Sequence, residues 1–297
     1  MKNPLAEFSN NLTAAVETGG AGTVVVDARK RYPASGIAYA ADLVLTADHV
    51  VTREDIKVIL PDGRSLSATV AGRDPGSDLA LLRLAEKALT PAKTSDDVKV
   101  GQLVLALGRP NTSGMQASWG IVTAIAGPAR THRGGLLDEY IQTETTPYPG
   151  FSGGPLVNTE GEVLGLNTSG LTPGSSLTIP VKVAWRIADE LAKHGSVKRG
   201  YLGVRTQPVE IPEAARDSLK REQKSGLLVL WLEENGPAQK GGLFVGDTLV
   251  GVAGQPVIDP DDLFAALNSE TVGKSVAVEV LRGGKLETVS VTVGERK

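Results

Sequence analysis

Pro149-Gly150-Phe151-Ser152-Gly153-Gly154-Pro155-Leu156 sets a hydroxyl among small, turn-forming residues and runs into the apolar start of a strand. A serine hydroxyl is too weak an acid to attack an acyl group unaided. It needs a base within hydrogen-bond reach and a preset cradle for the developing oxyanion. Gly150 suits the cradle, because a residue without Cβ lets the backbone turn its N–H groups inward beside the amide of Ser152. Glycine runs taken alone are usually ordinary turns, and the rest of the chain decides.

A base for Ser152 is expected to be a histidine held in turn by a carboxylate. The chain has three, His49, His132 and His194. His49, in Thr46-Ala47-Asp48-His49-Val50-Val51, follows the apolar run Leu43-Val44-Leu45 at a strand end, where a side chain can face a cleft. Asp78 stands immediately before the hydrophobic run Leu79-Ala80-Leu81-Leu82, at a junction where an acid can point inward and fix the imidazole tautomer. Asp74 and Asp48 are its rivals. Asp48 adjoins His49 and cannot easily fold back onto its ring, and Asp74 lies on the turn side of Pro75, a better place for a solvated charge. His132, in Arg130-Thr131-His132-Arg133-Gly134-Gly135, reads as a loop residue and His194 as part of a linker, both solvated.

The whole chain sets bounds on these readings. At 297 residues it holds roughly two domains, each with a real core. A net charge of -3 removes any overall basic footprint and makes nucleic acid an unfavoured partner. No apolar run approaches the roughly 20 residues of a membrane span. Zero cysteines exclude disulfides, thiolate zinc sites and a cysteine nucleophile together. Met1-Lys2-Asn3-Pro4 lacks the apolar core of a secretory signal. The expectation is therefore a cytoplasmic protein as the chain stands, or a periplasmic or otherwise exported one if a leader has been removed.

Asn3 and Pro4 resemble an N-cap and first helical position, and Leu5, Phe8, Leu12 and Val16 recur near helical spacing, so a helix is expected over about residues 4 to 17. It either packs on the first domain or joins subunits, with Phe8 the residue to watch. From Thr23 to Leu177 short β-rich runs alternate with turn signals such as Pro61-Asp62-Gly63-Arg64, which argues for antiparallel barrels or a sandwich. Pro180 to His194 reads as a helix ended by Gly195. Residues 195–200 suit an exposed linker. Beyond them strands are expected near Gly226–Leu232, Thr248–Val252, Ser275–Leu281 and Thr288–Val293. A helix is expected near Pro260–Leu267, capped by Asp259, and a hairpin turn at Arg282-Gly283-Gly284-Lys285.

Taken in order, Thr46-Ala47-Asp48-His49-Val50-Val51, Ser77-Asp78-Leu79-Ala80-Leu81-Leu82 and Gly150-Phe151-Ser152-Gly153-Gly154-Pro155-Leu156, followed by a second small domain, resemble the HtrA/Deg family of serine endopeptidases. Gly120-Ile121-Val122 and Leu177-Thr178-Ile179-Pro180 look like further landmarks. The resemblance implies a mainly β chain, a chymotrypsin-like double antiparallel β-barrel over residues 1–194 followed by a small α+β PDZ domain over 201–297. Ser152 would be the nucleophile, His49 the general base, Asp78 the orienting carboxylate, and the amides of Gly150 and Ser152 the oxyanion hole, with no metal or other cofactor. The substrate pocket would fall on Thr146, Asn167, Thr168 and Ser169, which offer no acid for Lys or Arg and imply small or medium apolar side chains. Tyr201-Leu202-Gly203-Val204 would be a carboxylate-binding loop for peptide C-termini, while Leu263 and Leu267 face either its groove or the core.

The implied activity is cleavage of unfolded or misfolded proteins in protein quality control, by a homotrimer. One departure stands out, since Phe151 replaces the polar Asn or Asp that usually precedes the nucleophile. With bulky Tyr148 nearby, it raises two alternatives: an oxyanion loop that rests unproductive until ordered, or a chaperone-like or peptide-binding protein with a dormant protease site.

Overall fold

The computed structural model describes residues 3–131, 135–171, 177–268 and 270–295. The chain divides into two compact units, Met1–Val197 and Lys198–Lys297.

In the first unit the Asn3 side chain accepts from the Leu5 amide and Pro4 opens helix α1 (Pro4–Ala21). The helix outruns its expected end through Gly19 and Gly20, both buried against the β-structure. A Cβ on Gly19 would come within 2.8 Å of Leu107 Cδ1.

Strands β1 (Thr23–Asp27), β2 (Ala34–Ala40), β3 (Leu43–Ala47), β4 (Ile56–Ile59), β5 (Ser65–Asp74) and β6 (Leu79–Leu84) close into an antiparallel barrel in the order β1-β2-β3-β6-β5-β4. The runs in β3 and β6 show no polar alternation because both of their faces are buried. Leu43, Leu45, Leu79 and Leu81 look into a core shared with the second barrel, while Val44, Ala47, Ala80 and Leu82 fill the interior of the first.

The second barrel comprises β7 (Leu103–Gly108) and β8 (Gln116–Ala126), then, after the short ribbon of β9 (Ala129–Arg130) and β10 (Leu136–Leu137), β11 (Tyr140–Thr143), β12 (Pro155–Val157), β13 (Val163–Thr168) and β14 (Leu177–Pro180). It closes in the order β11-β14-β13-β12-β7-β8. Helix α2 (Val181–His194) lays Val183, Ala184, Ile187, Ala188 and Leu191 against the shared core. It ends where Gly195, at φ +74, returns its N–H to Leu191 O. Each leucine buried at the shared face contributes about 1.5–3 kcal/mol. That face therefore fixes the spacing of the two barrels and of the loops at their mouths.

The second unit contains β15 (Gly200–Tyr201), β16 (Val204–Glu210), α3 (Glu213–Arg216), β17 (Ser225–Leu232), α4 (Pro237–Lys240), β18 (Thr248–Val252), β19 (Gln255–Pro256), α5 (Pro260–Ala266), β20 (Ser275–Arg282), β21 (Lys285–Thr292) and β22 (Gly294–Glu295). The sheet order is β16-β17-β18-β20-β21, with β19 on β18 and β15 paired to β22. Asp259 and Asp262 form the capping box of α5. Gly283 and Gly284 both take the positive φ of a two-residue hairpin turn. Leu263 and Leu267 are buried with Leu202, Leu227 and Leu249, so they belong to the core rather than to an open groove.

Strand β16 carries Pro208 in its middle and lies at the edge of the sheet, where a missing N–H is tolerated. In the stretch expected as an exposed linker, Gly195, Ser196 and Lys198 are exposed, and the chain is held at both ends of it. Ser196 bridges to Arg73, and Gly200 is buried within β15.

Candidate active site

The register of β3 and β6 pairs Ala47 with Leu79. His49, just after β3, and Asp78, just before β6, therefore emerge at the same end of neighbouring strands. Asp78 sits in the left-handed region at φ +57, an uncommon conformation that aspartate tolerates better than most residues. Its carbonyl accepts from the Asp48 amide at 2.9 Å, and its side chain is completely buried. One carboxylate oxygen accepts from the His49 backbone amide at 2.9 Å and the other lies 2.8 Å from His49 Nδ1. Thr168 Oγ1 donates to that second oxygen as well. With Nδ1 donating to Asp78, the imidazole keeps Nε2 as its free acceptor.

The rival acids have other employment. Asp48 is held by Arg73, whose Nε donates to it at 2.6 Å. Asp74 departs from the expectation of a solvated charge. It is 2% exposed, and its carboxylate accepts from the amides of Gly76 and Ser77, folding the Pro75 turn around itself.

Two consecutive turns shape the serine loop. Phe151 N donates to Tyr148 O at 3.0 Å, with Pro149 second and Gly150 third in the turn, and Gly150 takes the positive φ of +91 that a type II turn requires there. Gly154 N then donates to Phe151 O at 2.8 Å, with Gly153 at φ +86. Neither the Gly150 nor the Ser152 amide donates to a protein acceptor among the described residues. The two donors expected of an oxyanion hole are therefore unspent.

Phe151, which raised the question of how this loop is held, is itself one of its anchors. Its ring is 2% exposed and joins Val104, Ile141, Leu156 and Leu164 inside the second barrel. It fits over Gly108, where a Cβ would approach within 2.4 Å, and meets the Tyr148 ring edge-on at 5.5 Å. The first barrel supplies a second anchor that the sequence did not reveal. Ser35, fully buried, donates from Oγ to Gly150 O at 2.7 Å and from its amide to Ser152 O at 3.2 Å. A hydrophobic plug and a hydroxyl clamp together take over the work of the absent polar residue.

The Ser152 hydroxyl bonds Ser169 Oγ at 3.2 Å, and among the described residues no hydrogen bond joins it to His49. The imidazole and carboxylate are in contact, and the Ser152 hydroxyl shares its hydrogen bond with the Ser169 hydroxyl. Gly170 adjoins this pair so closely that a Cβ would lie 2.2 Å from Asp78 Oδ2 and 2.5 Å from His49 Nδ1.

A cleft of about 500 Å³ opens beside Ser152, with Asn167 and Ser169 in one wall. A much smaller cavity of about 20 Å³ lies behind it, lined by Thr143, Thr145, Pro147, Phe151, Asn167 and Thr178 among others. Thr146 is exposed and lines neither, since its neighbours Thr145 and Pro147 take that place and its amide donates to Ser118 Oγ. Thr168 turns from the pocket to Asp78. His194 is the last residue of α2 and half-exposed, and His132 lies outside the described residues.

In the second unit Gly203 has φ +75 and its carbonyl accepts from Glu233 N at 2.8 Å. Tyr201 pairs with Gly294, Leu202 is buried and Val204 begins the edge strand β16.

Two six-stranded antiparallel barrels, with a histidine–aspartate pair and a serine loop at their mouths, define a trypsin-like fold, here joined to a second unit built as a PDZ domain. Family models agree, matching a trypsin-like peptidase domain over residues 34–166 and a PDZ domain over 200–293. A probable periplasmic serine endoprotease, DegP-like, from Pseudomonas putida is 39% identical over 269 residues, covering 88% of this chain and 55% of that protein. One of the same description from Halomonas elongata is 39% identical over 276 residues, covering 90% and 57%. The chain thus spans about half the length of these curated relatives.

Among solved structures, the HtrA-type protease AlgW with a decapeptide superposes with TM-score 0.81 at 27% identity, covering 96% of this chain and 99% of that one. The serine endoprotease from Yersinia pestis gives 0.79 at 28%, covering 96% and 98%. These matches are to HtrA-type and DegP-like serine proteases, the family that the sequence resembles. No helix among the described residues is long and apolar enough to cross a membrane.

Proposed function

We propose that this protein is a serine endopeptidase that hydrolyses peptide bonds of unfolded or misfolded proteins, with Ser152 as nucleophile, His49 as base and then acid, and Asp78 as the carboxylate that orients it. The observation that carries this reading is the imidazole fixed at 2.8 Å from a fully buried carboxylate that a backbone amide and a threonine hydroxyl also hold. Once the Ser152 hydroxyl turns from Ser169 to His49, Nε2 takes its proton as Oγ attacks the carbonyl carbon. The negative charge then develops on the carbonyl oxygen, between the amides of Gly150 and Ser152. A donor of that kind is worth about 2.7–4 kcal/mol in the transition state. His49 next protonates the departing amine, and a water, deprotonated by the same nitrogen, releases the acyl group.

The family match and the anchored serine loop favour this activity over a dormant, purely chaperone-like role. In the second unit we assign Tyr201–Val204 as the loop that receives a peptide's C-terminus, the peptide adding as a strand to the free edge of β16. The solved relative with a bound decapeptide supports peptide binding in this architecture. Of the two compartments expected from sequence, we favour the periplasm, as in the relatives' descriptions, over the cytoplasm. A homotrimer is the assembly we assign, with exposed Leu5 and Phe8 on α1 as its contact candidates. The direct test is casein hydrolysis by the wild type and by Ser152→Ala. Activity present in the first and absent in a folded second is expected, whereas equal activity in both overturns the assignment.

A further inference from the structure

The loop from β1 to β2 enters the cleft beside Ser152 as Arg29-Lys30-Arg31-Tyr32, and no aspartate or glutamate lines that cleft. Arg29 is partly buried and bends back on its own loop, donating to the carbonyls of Tyr32 and Pro33. It therefore shapes the loop. Lys30 and Arg31 are exposed, and neither has an acidic partner among the described residues. Two unpaired cations thus share one concave surface with the nucleophile.

The loop's position decides what they meet. It leads into Pro33, whose carbonyl lies 3.1 Å from where a Gly150 Cβ would be, and then into the Ser35 clamp. It consequently flanks the oxyanion loop from the first barrel. The opposite wall, Asn167 and Ser169, belongs to the second barrel, as does the small cavity behind it. If the side chain preceding the cleaved bond is received at the second barrel, the chain following that bond runs towards Arg29–Tyr32.

We propose that Lys30 and Arg31 make the leaving-group side of the cleft a receptor for substrate carboxylates, so that cleavage is favoured where Asp or Glu follows the broken bond. This rests on the peptidase reading above and adds a substrate class to it. An extended chain advances ~3.3 Å per residue, so scanning single positions after that bond locates where the acid acts. The attraction is between solvated groups, so it acts on capture more than on the chemical step.

The test is a set of peptides amidated at the C-terminus, sharing one cleavable bond and carrying Ala, Glu or Lys at single positions on either side of it. On the leaving-group side, Glu is expected to exceed Lys in kcat/KM by about three- to tenfold, mostly through KM. The ratio shrinks towards one in about 0.5 M salt, where the Debye length is only ~4 Å. The doubly substituted Lys30→Glu, Arg31→Glu protein reverses the ranking, a result independent of how much of the preparation is active.

A ratio near one at every position, a ratio unmoved by the double substitution, or an effect confined to the acyl side overturns the proposal. A gain seen only when the peptide's chain end is left free assigns the cations to a terminal carboxylate and overturns the side-chain version. Failure of the wild type to cleave any peptide in the set overturns the peptidase reading, and this inference with it.

Discussion

Ser35 and Phe151 hold the same loop by different physics, and substitution separates them. Ser35→Ala deletes the hydroxyl that ties Gly150 O to the first barrel and leaves a buried carbonyl unpaired, a loss of about 1–3 kcal/mol. With the oxyanion donors released, kcat is expected to fall roughly ten- to hundredfold while KM changes little. Phe151→Ala instead empties part of the second barrel's core and is expected to cost about 3–5 kcal/mol, read as a lowered midpoint in urea. A Ser35→Ala protein with unchanged kcat, or a Phe151→Ala protein of wild-type stability, contradicts the respective role.

At the scale of elements, Tyr39 on β2 joins the first barrel to α2 by donating to Asp189, and its ring packs against Trp185. Partial burial, and then the hydrogen bond and the charge of Asp189, push its hydroxyl from 10.0 up to about 12. A group whose folded pKa is raised stabilises fully below its unfolded value, and the contribution is lost as pH rises through the folded one. The wild type is therefore expected to lose stability between pH 10 and about 12 relative to Tyr39→Phe, as the two melting temperatures would show by converging across that range. Parallel curves contradict the link.

What the sequence made legible follows the same division between local and distant causes. Helix α2 was readable because Val183, Ile187 and Leu191 repeat at helical spacing and Gly195 stops it. The capping box and the glycine hairpin of the second unit were likewise local signals. Strand β16 was missed because Pro208 and its polar neighbours resemble a loop, and only its edge position explains them. His49, Asp78 and Ser152 could be nominated from their flanks, but Ser35, which clamps a loop 115 positions away, carries no sequence signal at all. Thr168 was misread for the same reason, its target Asp78 being 90 positions distant.

For the molecule as a whole, assembly is the open dimension of the proposal. Helix α1 anchors through Ala15, Gly19 and Gly20 and leaves Leu5 and Phe8 exposed towards its start. Light scattering is expected to give three times the chain mass for the full protein and a smaller particle once residues 3–9 are deleted. An unchanged mass after deletion clears that segment of the role.

The central claim is that a buried Asp78 and an oriented His49 make Ser152 a nucleophile, and covalent labelling with a fluorophosphonate addresses it most directly. The account predicts a single adduct, mapped by peptide mass to Ser152, with labelling strongly slowed in a folded His49→Ala protein. Equal labelling rates in wild type and His49→Ala, or an adduct elsewhere with Ser152 unmodified, would contradict it.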